Sequence, residues 1–306
     1  MISSGSATVG PRSAAQTVSS VKDALAELGE TPTDERWAAM RQMAKLLALK
    51  HLPTGEFSLA HWWRGPLLYS LIRHFRPTNV LEVGTGRGYG AACMAQAAVD
   101  GGLDTTIWTL DWFSPETKQA WAFDDGLGPE IKKRSRAEVW AMYLDDAVTQ
   151  RIKPLTGRSD HLLAGWSAAG RPPVDFAFLD AGHDYWSVKQ DFLSMLAIAT
   201  PGCSILFDDY TVRKDYGVTR LIDEELAPRL PDHAIQRIDA LARDHTVHRE
   251  DVPHYMALIR ADRLEGCALT ALYSPTERRQ FAVGFAARML GRDLSYALRR
   301  LLGPLW

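Results

Sequence analysis

Cysteine is scarce in this chain of 306 residues, and the few cysteines present are far apart. Only Cys93, Cys203 and Cys267 occur, and no two of them share a short spacing. A sparse, odd-numbered set of this kind argues against a disulfide framework and against a structural zinc site. We therefore expect the protein to be found in a reducing cytoplasm.

Long hydrophobic runs and a large excess of either charge are also missing. No stretch approaches the roughly 18 apolar residues that a transmembrane helix needs. The formal net charge is −2, so binding of nucleic acid through overall charge is not expected. The first twenty residues are small and polar and lack the apolar centre of a signal peptide. We interpret residues 1–30 as a disordered tail.

The sequence does contain a regular alternation of short apolar runs with helical patterns. Five runs rich in β-branched or aromatic residues predict strands at 80–83, 106–110, 152–155, 174–179 and 203–207, and two more follow at 234–238 and 255–259. This alternation predicts an α/β fold, a Rossmann-like doubly wound sheet of seven mostly parallel strands with helices on both faces. With extra N-terminal helices as a cap, the predicted domain covers residues 31–265.

The last part of the chain, residues 266–306, differs from the rest in charge. After Pro275 it holds six arginines against two acidic residues, together with apolar residues near helical spacing. The pattern predicts a basic helical extension. Two interpretations are open: a helical hairpin packed on its own domain or on a second subunit, and a helix with weak contact to a membrane surface.

The stretch "NVLEVGTGRGYGAA", residues 79–92, runs from an apolar strand into glycines at every second position. Glycines between a strand and a helix let a ligand approach the backbone, as in nucleotide-binding proteins. Gly86, Gly88 and Ala91 also fit the spacing G-x-G-x-x-A of dinucleotide sites, so an NAD-dependent oxidoreductase is one alternative.

Two acidic residues favour a different ligand. Glu82 lies two residues before Gly84, where a carboxylate would repel a pyrophosphate but would attract an ammonium group. Asp111 ends the next predicted strand, a position from which a carboxylate accepts hydrogen bonds from ribose hydroxyls. S-adenosylmethionine carries both a ribose and a cationic amino-acid end.

These residues carry a family resemblance over about residues 59–260. "LEVGTGRG" resembles motif I, E/D-x-G-x-G-x-G, of the class I S-adenosylmethionine-dependent methyltransferases, while "IWTLDW" and "PLTGRSDHLL" resemble their next two strand segments. The resemblance implies S-adenosylmethionine as the cofactor. It implies these cofactor-binding residues: Glu82, Gly84, Thr85, Gly86, Gly88, Asp111, Trp112, Arg158, Ser159 and Asp180.

Acidic residues also end two further predicted strands. "FAFLDAGHDYWSVKQDF" places Asp180 after one strand, and "CSILFDDY" places Asp208 and Asp209 at the end of another. The carboxyl ends of neighbouring parallel strands lie at one edge of the sheet, so the three carboxylates are expected to converge. Because they repel one another, a cation is expected between them, and Mg²⁺ prefers such oxygen ligands. The alternative is that Asp208 and Asp209 are solvated loop residues.

His183 follows Asp180 by three positions. The string D-x-x-H-x-Y-x-x-V-x-x-D around it resembles the bacterial sugar O-methyltransferases, which are similar to the catechol and caffeoyl-CoA O-methyltransferases. In the catechol type this position is a lysine that takes the substrate proton, and an asparagine stands where this chain has Asp209. The resemblance implies metal-assisted O-methylation of a small hydroxylated acceptor, sugar or phenol, with His183 as the base. A non-catalytic cofactor-binding protein is the remaining alternative.

Overall fold

The computed structural model describes residues 18–59, 62–211, 215–239, 254–264 and 269–302. Its strands and helices follow one another along the chain as β1 (Val18–Ser20), α1 (Val21–Leu28), α2 (Asp34–Leu47), β2 (Lys50–His51), β3 (Phe57–Ser58), α3 (Arg64–Phe75), β4 (Asn79–Val83), α4 (Tyr89–Asp100), β5 (Thr106–Asp111), β6 (Gln119–Phe123), β7 (Glu130–Arg134), α5 (Arg136–Tyr143), α6 (Asp146–Thr149), β8 (Ile152–Thr156), α7 (Ser159–Ala164), β9 (Val174–Leu179), α8 (Tyr185–Leu196), β10 (Ala199–Thr211), α9 (Gly217–Arg220), β11 (Ile235–Asp239), β12 (His254–Ile259) and α10 (Pro275–Leu302).

The central sheet has the strand order β1-β11-β12-β10-β9-β4-β5-β8. Strands β8, β5, β4, β9 and β10 run parallel, while β12 is antiparallel to both of its neighbours. The chain leaves β4 towards β5 on one side and later returns to form β9 on the other side. Ligands bind at such a switch point, outside the carboxyl ends of the strands. The predicted Rossmann-like α/β fold is confirmed.

The hydrophobic core lies on both faces of this sheet. Along β9, Phe176 and Phe178 belong to one buried cluster, while Ala177 and Leu179 belong to the other. Alternate residues of a strand point to opposite faces, so each face carries its own apolar set. The sheet is therefore the middle layer of three, and the ends of its strands are where a ligand can approach.

Two sequence-based predictions require correction at the N-terminus. The sheet has eight strands instead of seven, because β1 pairs in parallel with β11. Residues 18–28, predicted to be disordered, form β1 and α1. Ser20 and Asp23 form a capping box at the start of α1, and Leu25 and Leu28 are buried. The polar composition of the first residues concealed this short amphipathic helix; residues 1–17 lie outside the described part of the chain.

The segment between β5 and α5 contains the antiparallel hairpin β6–β7. The indole Nε1 of Trp121 in β6 donates a hydrogen bond to the carbonyl of Leu46 in α2, at 2.9 Å. Because this contact is buried, the hairpin is fixed to the N-terminal helices. The segment is thus an ordered part of the domain and not a plain loop.

The C-terminal extension is one continuous helix, α10, in place of a hairpin. The Phe281 ring in α10 is buried and stacks on Trp186 of α8, with 5.3 Å between the ring centroids. Its first half therefore packs on its own domain, and the side chains after Gly291 lie outside the described part. Among the described helices, none has the length and apolarity needed to cross a membrane.

Candidate active site

The glycine loop follows β4 and is held against the neighbouring strands. The backbone N–H groups of Gly84 and Thr85 both donate to the carbonyl of Leu110. Gly84 has φ +101°, and a Cβ added there would lie 2.0 Å from the carbonyl oxygen of Asp180. Gly86 also has a positive φ, but a Cβ there would meet nothing within 4 Å. Gly84 thus allows two chain segments to approach, whereas Gly86 leaves open space.

This loop borders a cavity of about 900 Å³. Every predicted cofactor-binding residue except Gly88 lines it, as do His183 and Asp209. Gly88 begins α4 in the left-handed conformation, and a Cβ there would overlap the Trp140 ring. The structure therefore brings the separate sequence motifs together around a single space.

Asp111 is held in place by a residue that the sequence reasoning missed. Its carboxylate accepts hydrogen bonds from the backbone N–H groups of Gly86 and Phe113, at 3.0 and 2.9 Å. Arg136 Nη1 lies 3.0 Å from the same carboxylate, and Arg136 also donates to the carbonyls of Gly86 and Phe113. The buried Arg136 thus ties the glycine loop to the end of β5. Trp112 beside it is 67% exposed.

Glu82 is more deeply embedded than a ligand contact requires. Its side chain is 1% exposed, and its carboxylate accepts a short hydrogen bond from the hydroxyl of Thr109. Burial raises the pKa of Glu82 to about 7. Although Glu82 reaches the cavity wall, its contact with a cofactor ammonium stays a prediction.

The opposite part of the wall is formed where β8 leads into α7. Arg158 pairs with Asp160 through two hydrogen bonds of 3.0 and 2.9 Å. The Ser159 hydroxyl donates to Asp191, at 2.5 Å, and burial raises the pKa of Asp191 to about 7. Arg158 and Ser159 are thus cavity residues with fixed side chains, and their contact with the cofactor stays a prediction.

The predicted acidic cluster forms. One oxygen from each of Asp180, Asp208 and Asp209 lies within 4.8 Å of the others. Consecutive residues in a regular strand would point to opposite faces. Here the register of β10 against β12 shifts between Phe207 and Tyr210, and Asp209 adopts a left-handed φ of +56°. This β-bulge turns both aspartates towards Asp180.

The side chain of Arg64 enters the same cluster. It lies at the start of α3, with Nη1 2.5 Å from Asp180 Oδ2 and Nη2 2.7 Å from Asp208 Oδ2. Burial opposes its charge, but the Asp208, Asp180 and Asp209 carboxylates raise the Arg64 pKa above its ordinary value. Sequence reasoning missed this residue. A signal existed, because a cation in the first turn of a helix is unfavourable unless acidic partners compensate.

The fit of a divalent cation can be judged from these distances. Three carboxylates are the donors that Mg²⁺ prefers. However, the guanidinium of Arg64 already contacts Asp180 and Asp208, and Lys50 lines the same cavity. Arranged in this way, the cluster does not fit an additional dication.

His183 pairs with the third aspartate. Its Nδ1 lies 2.7 Å from Asp209 Oδ2. The hydrogen bond with Asp209 raises the pKa of His183, and partial burial acts in the opposite direction. Because Nδ1 is bonded to a carboxylate, Nε2 is the ring nitrogen available to accept a substrate proton. The sequence predicted Asp209 as a metal ligand or a solvated loop residue, and not as the partner of His183.

The C-terminal helix α10 contributes to the cavity, which the sequence did not predict. Phe285 and Met289 line it, as do His183 and Tyr216. Arg288 Nη2 lies 3.8 Å from Asp184, the residue that caps α8. The extension is therefore a wall of the candidate site and not a separate appendage.

Comparisons with known proteins agree with this geometry. Residues 81–210, somewhat less than half of the chain, match the family described as "Methyltransferase domain". The uncharacterized protein y4gI of Sinorhizobium fredii (strain NBRC 101917 / NGR234) is 24% identical over 155 residues, which are 50% of this chain and 15% of y4gI. This chain thus matches only a small part of that relative.

Two solved structures are similar over most of this chain. The O-methyltransferase TomG from Streptomyces achromogenes, in complex with SAM, is 22% identical; the match covers 79% of this chain and 96% of TomG, with a TM-score of 0.47. An O-methyltransferase from Bacillus cereus, in complex with SAH, is 20% identical; the match covers 79% and 97%, with a TM-score of 0.47. The family match agrees with the interpretation of motif I: residues 81–210 are similar to a methyltransferase domain, and the sheet that contains them has a doubly wound α/β strand order.

Proposed function

We propose that this protein transfers the methyl group of S-adenosylmethionine to a hydroxyl oxygen of a small molecule, with His183 as the base. The observation that carries the proposal is the pairing of His183 with Asp209 at 2.7 Å, on the same cavity as the glycine loop. A cofactor seat and a proton acceptor thus share one space.

The cofactor side of the cavity fits the parts of S-adenosylmethionine. Asp111 would accept hydrogen bonds from the ribose, and Arg136 holds its carboxylate in place. The open space at Gly86 leaves room for a ligand against the backbone. S-adenosylmethionine supplies an electrophilic methyl group on a positively charged sulfur. A dinucleotide is less well suited, because Glu82 would repel its pyrophosphate.

His183 would act on the acceptor. As the hydroxyl oxygen forms its bond to the methyl carbon and the sulfur–carbon bond breaks, Nε2 of His183 takes the hydroxyl proton. Asp209, bonded to Nδ1, fixes the ring orientation and stabilises the protonated ring. The products are the methyl ether and S-adenosylhomocysteine, and the proton later leaves His183 for water.

The acceptor side of the cavity is partly apolar. Tyr216, Phe285 and Met289 line the cavity, and the ring centroid of Tyr216 lies 6.2 Å from that of His183. Such a surface suits a ring with hydroxyl groups, either a sugar or a phenol.

A cytoplasmic location and a homo-oligomeric assembly stay predictions.

The metal-assisted form of this reaction was predicted from Asp180, Asp208 and Asp209. Because Arg64 already contacts two of these carboxylates, the proposed transfer includes no metal step. The guanidinium instead neutralises charge beside the reacting oxygen.

Calorimetric titration with S-adenosylhomocysteine, with NADH as the comparison ligand, tests the cofactor. Micromolar binding of the first ligand alone supports the proposal, and binding of NADH alone contradicts it. The base is tested with a panel of sugar and phenol acceptors. His183→Ala should lower kcat by about 10²–10⁴-fold, and the exposed His161→Ala is the matched control. Full activity in His183→Ala would refute the assigned base.

A further inference from the structure

Three carboxylates in one cluster, of which Asp208 is buried and Asp180 and Asp209 are partly buried, need a compensating cation, and this chain provides one. Arg64 Nη1 and Nη2 lie 2.5 and 2.7 Å from Oδ2 of Asp180 and Oδ2 of Asp208. We propose that the Arg64 guanidinium takes the place of a divalent metal ion at this site. The methyltransferase then works without a metal, and Arg64 is a positioning residue that sets the two carboxylates beside His183 and Asp209.

The guanidinium suits this role by shape. Its planar group presents two terminal nitrogens in a fixed fork, which can bridge two carboxylates from different chain segments. Here one nitrogen contacts the end of β9 and the other contacts β10. The side chain of Arg64 is 16% exposed, so solvent screens these charges only weakly.

A metal ion and Arg64 would compete for the same atoms. Mg²⁺ binds oxygen at about 2.0–2.1 Å. An ion bound in this way to both Oδ2 atoms would lie within the space of the guanidinium nitrogens and would be repelled by their charge. Asp208 Oδ2 is buried and makes no aligned hydrogen bond, so Arg64 compensates it by charge alone.

The position of Arg64 is fixed from the backbone side. Gly65, the next residue, lies against Tyr89 of α4, where an added Cβ would be 2.1 Å from the phenol oxygen. That hydroxyl in turn donates to the carbonyl of Trp62, at 2.7 Å. The start of α3 is thus locked to α4, the helix that follows the glycine loop. The cation is attached to the same frame as the cofactor seat.

Removal of the guanidinium leaves the buried Asp208 and the partly buried Asp180 without compensation, which is unfavourable. Arg64→Ala should therefore create a divalent-cation site that the wild type lacks. Mn²⁺ titration followed by electron paramagnetic resonance measures this directly, because bound Mn²⁺ loses the signal of the free ion.

We expect no Mn²⁺ binding by the wild type below the millimolar range, and binding at least about tenfold tighter by Arg64→Ala. Asp208→Asn added to Arg64→Ala should abolish the new site. The control is Arg73→Ala, which removes another arginine of α3 that pairs with Glu30. Arg64→Gln, which keeps most of the side-chain volume, serves if Arg64→Ala does not fold.

Micromolar Mn²⁺ binding by the wild type overturns the inference, whatever the variants do. So does Mn²⁺ binding that is the same in Arg64→Ala, Arg64→Gln and wild type. The activity measurement rests on the proposed function: methyl transfer by the wild type should persist in a metal chelator. If S-adenosylhomocysteine does not bind, the proposed function fails, while the Mn²⁺ titration still tests Arg64 by itself.

Discussion

The Nδ1 atom of His183 lies 2.7 Å from Oδ2 of Asp209, although His183 follows β9 and Asp209 lies within β10. The same β-bulge that orients Asp209 places Asp208 against Arg64. In the proposed reaction, proton removal and charge compensation are thus adjacent but use different aspartates. Asp209 and Asp208 can therefore be substituted one at a time, so that one contact is removed while the other is kept.

The pairing predicts a pH dependence. The hydrogen bond with Asp209 raises the pKa of His183 above its ordinary value of 6.5. Since only neutral imidazole accepts a proton, kcat should rise with pH through this raised pKa. Asp209→Asn should move the rise to lower pH and reduce the plateau by about tenfold or more. By linkage, the protonated pair stabilises the fold below 6.5, and this contribution is lost as pH rises through the raised pKa.

A pH–kcat profile of wild type and Asp209→Asn, measured with saturating acceptor, checks this. Asp104→Asn, an exposed aspartate after α4, is the control. An unshifted profile in Asp209→Asn would show that the pair does not set the protonation of the base.

Glu82 is predicted to cost stability at neutral pH. Its folded pKa of about 7 exceeds the ordinary value of 4.5, because burial disfavours its charge. Both states bind the proton below 4.5, and the folded state loses relative stability as pH rises from 4.5 to about 7. Glu82→Gln should be more stable than wild type at pH 8, by up to about 3 kcal/mol.

Urea unfolding of both proteins at pH 4.5 and pH 8 measures this difference, with the exposed Glu56→Gln as control. Calorimetry with S-adenosylhomocysteine then reveals the role in binding. Lower affinity together with higher stability in Glu82→Gln would show that the Glu82 carboxylate contributes to cofactor binding at a cost in stability. Equal stability at both pH values would contradict the raised pKa.

Arg136 should control cofactor affinity through Asp111. Lysine cannot reproduce the three contacts that Arg136 makes with Asp111 and with the carbonyls of Gly86 and Phe113. Arg136→Lys should weaken binding of S-adenosylhomocysteine by about tenfold or more. Calorimetry of Arg151→Lys is the matched control, because Arg151 donates to the Thr105 carbonyl away from the cavity. Unchanged affinity in Arg136→Lys would remove this role.

Phe285 should affect the acceptor and not the cofactor. It lines the cavity from α10, whereas Val283 on the same helix is 67% exposed. Phe285→Ala should raise the acceptor KM by about tenfold, with unchanged affinity for S-adenosylhomocysteine, and Val283→Ala should change neither. Steady-state kinetics with the best acceptor of the panel measures this. A changed affinity for S-adenosylhomocysteine with an unchanged acceptor KM would show that Phe285 contacts the cofactor and not the acceptor.

The sequence predicted those parts of the site that depend on strand order. Asp111, Asp180 and Asp208 each lie at or near the carboxyl end of a parallel strand, and such ends must share one edge. It did not predict Arg64, which lies 116 residues from Asp180 in the chain. Arg136 was missed for a similar reason, since it begins a helix after an unexpected hairpin. Contacts between residues so far apart in the chain leave no periodic pattern in the local sequence.

The burial of Glu82 could have been predicted from the strand order. A central parallel strand is covered on both faces, so an acid within it is surrounded by protein. The β-bulge at Asp209 could not be predicted from the sequence, because a regular strand places consecutive aspartates on opposite faces. Only pairing with β12 reveals the shift.

That bulge couples the two halves of the site to a single backbone irregularity. If Asp209 adopted an extended conformation, one of the two aspartates would turn away from the cavity. The ion pair with Arg64 or the partner of His183 would then be lost. The register at this end of β10 thus determines both contacts. A slip of one residue would separate Asp209 from His183 and Asp208 from Arg64 at once.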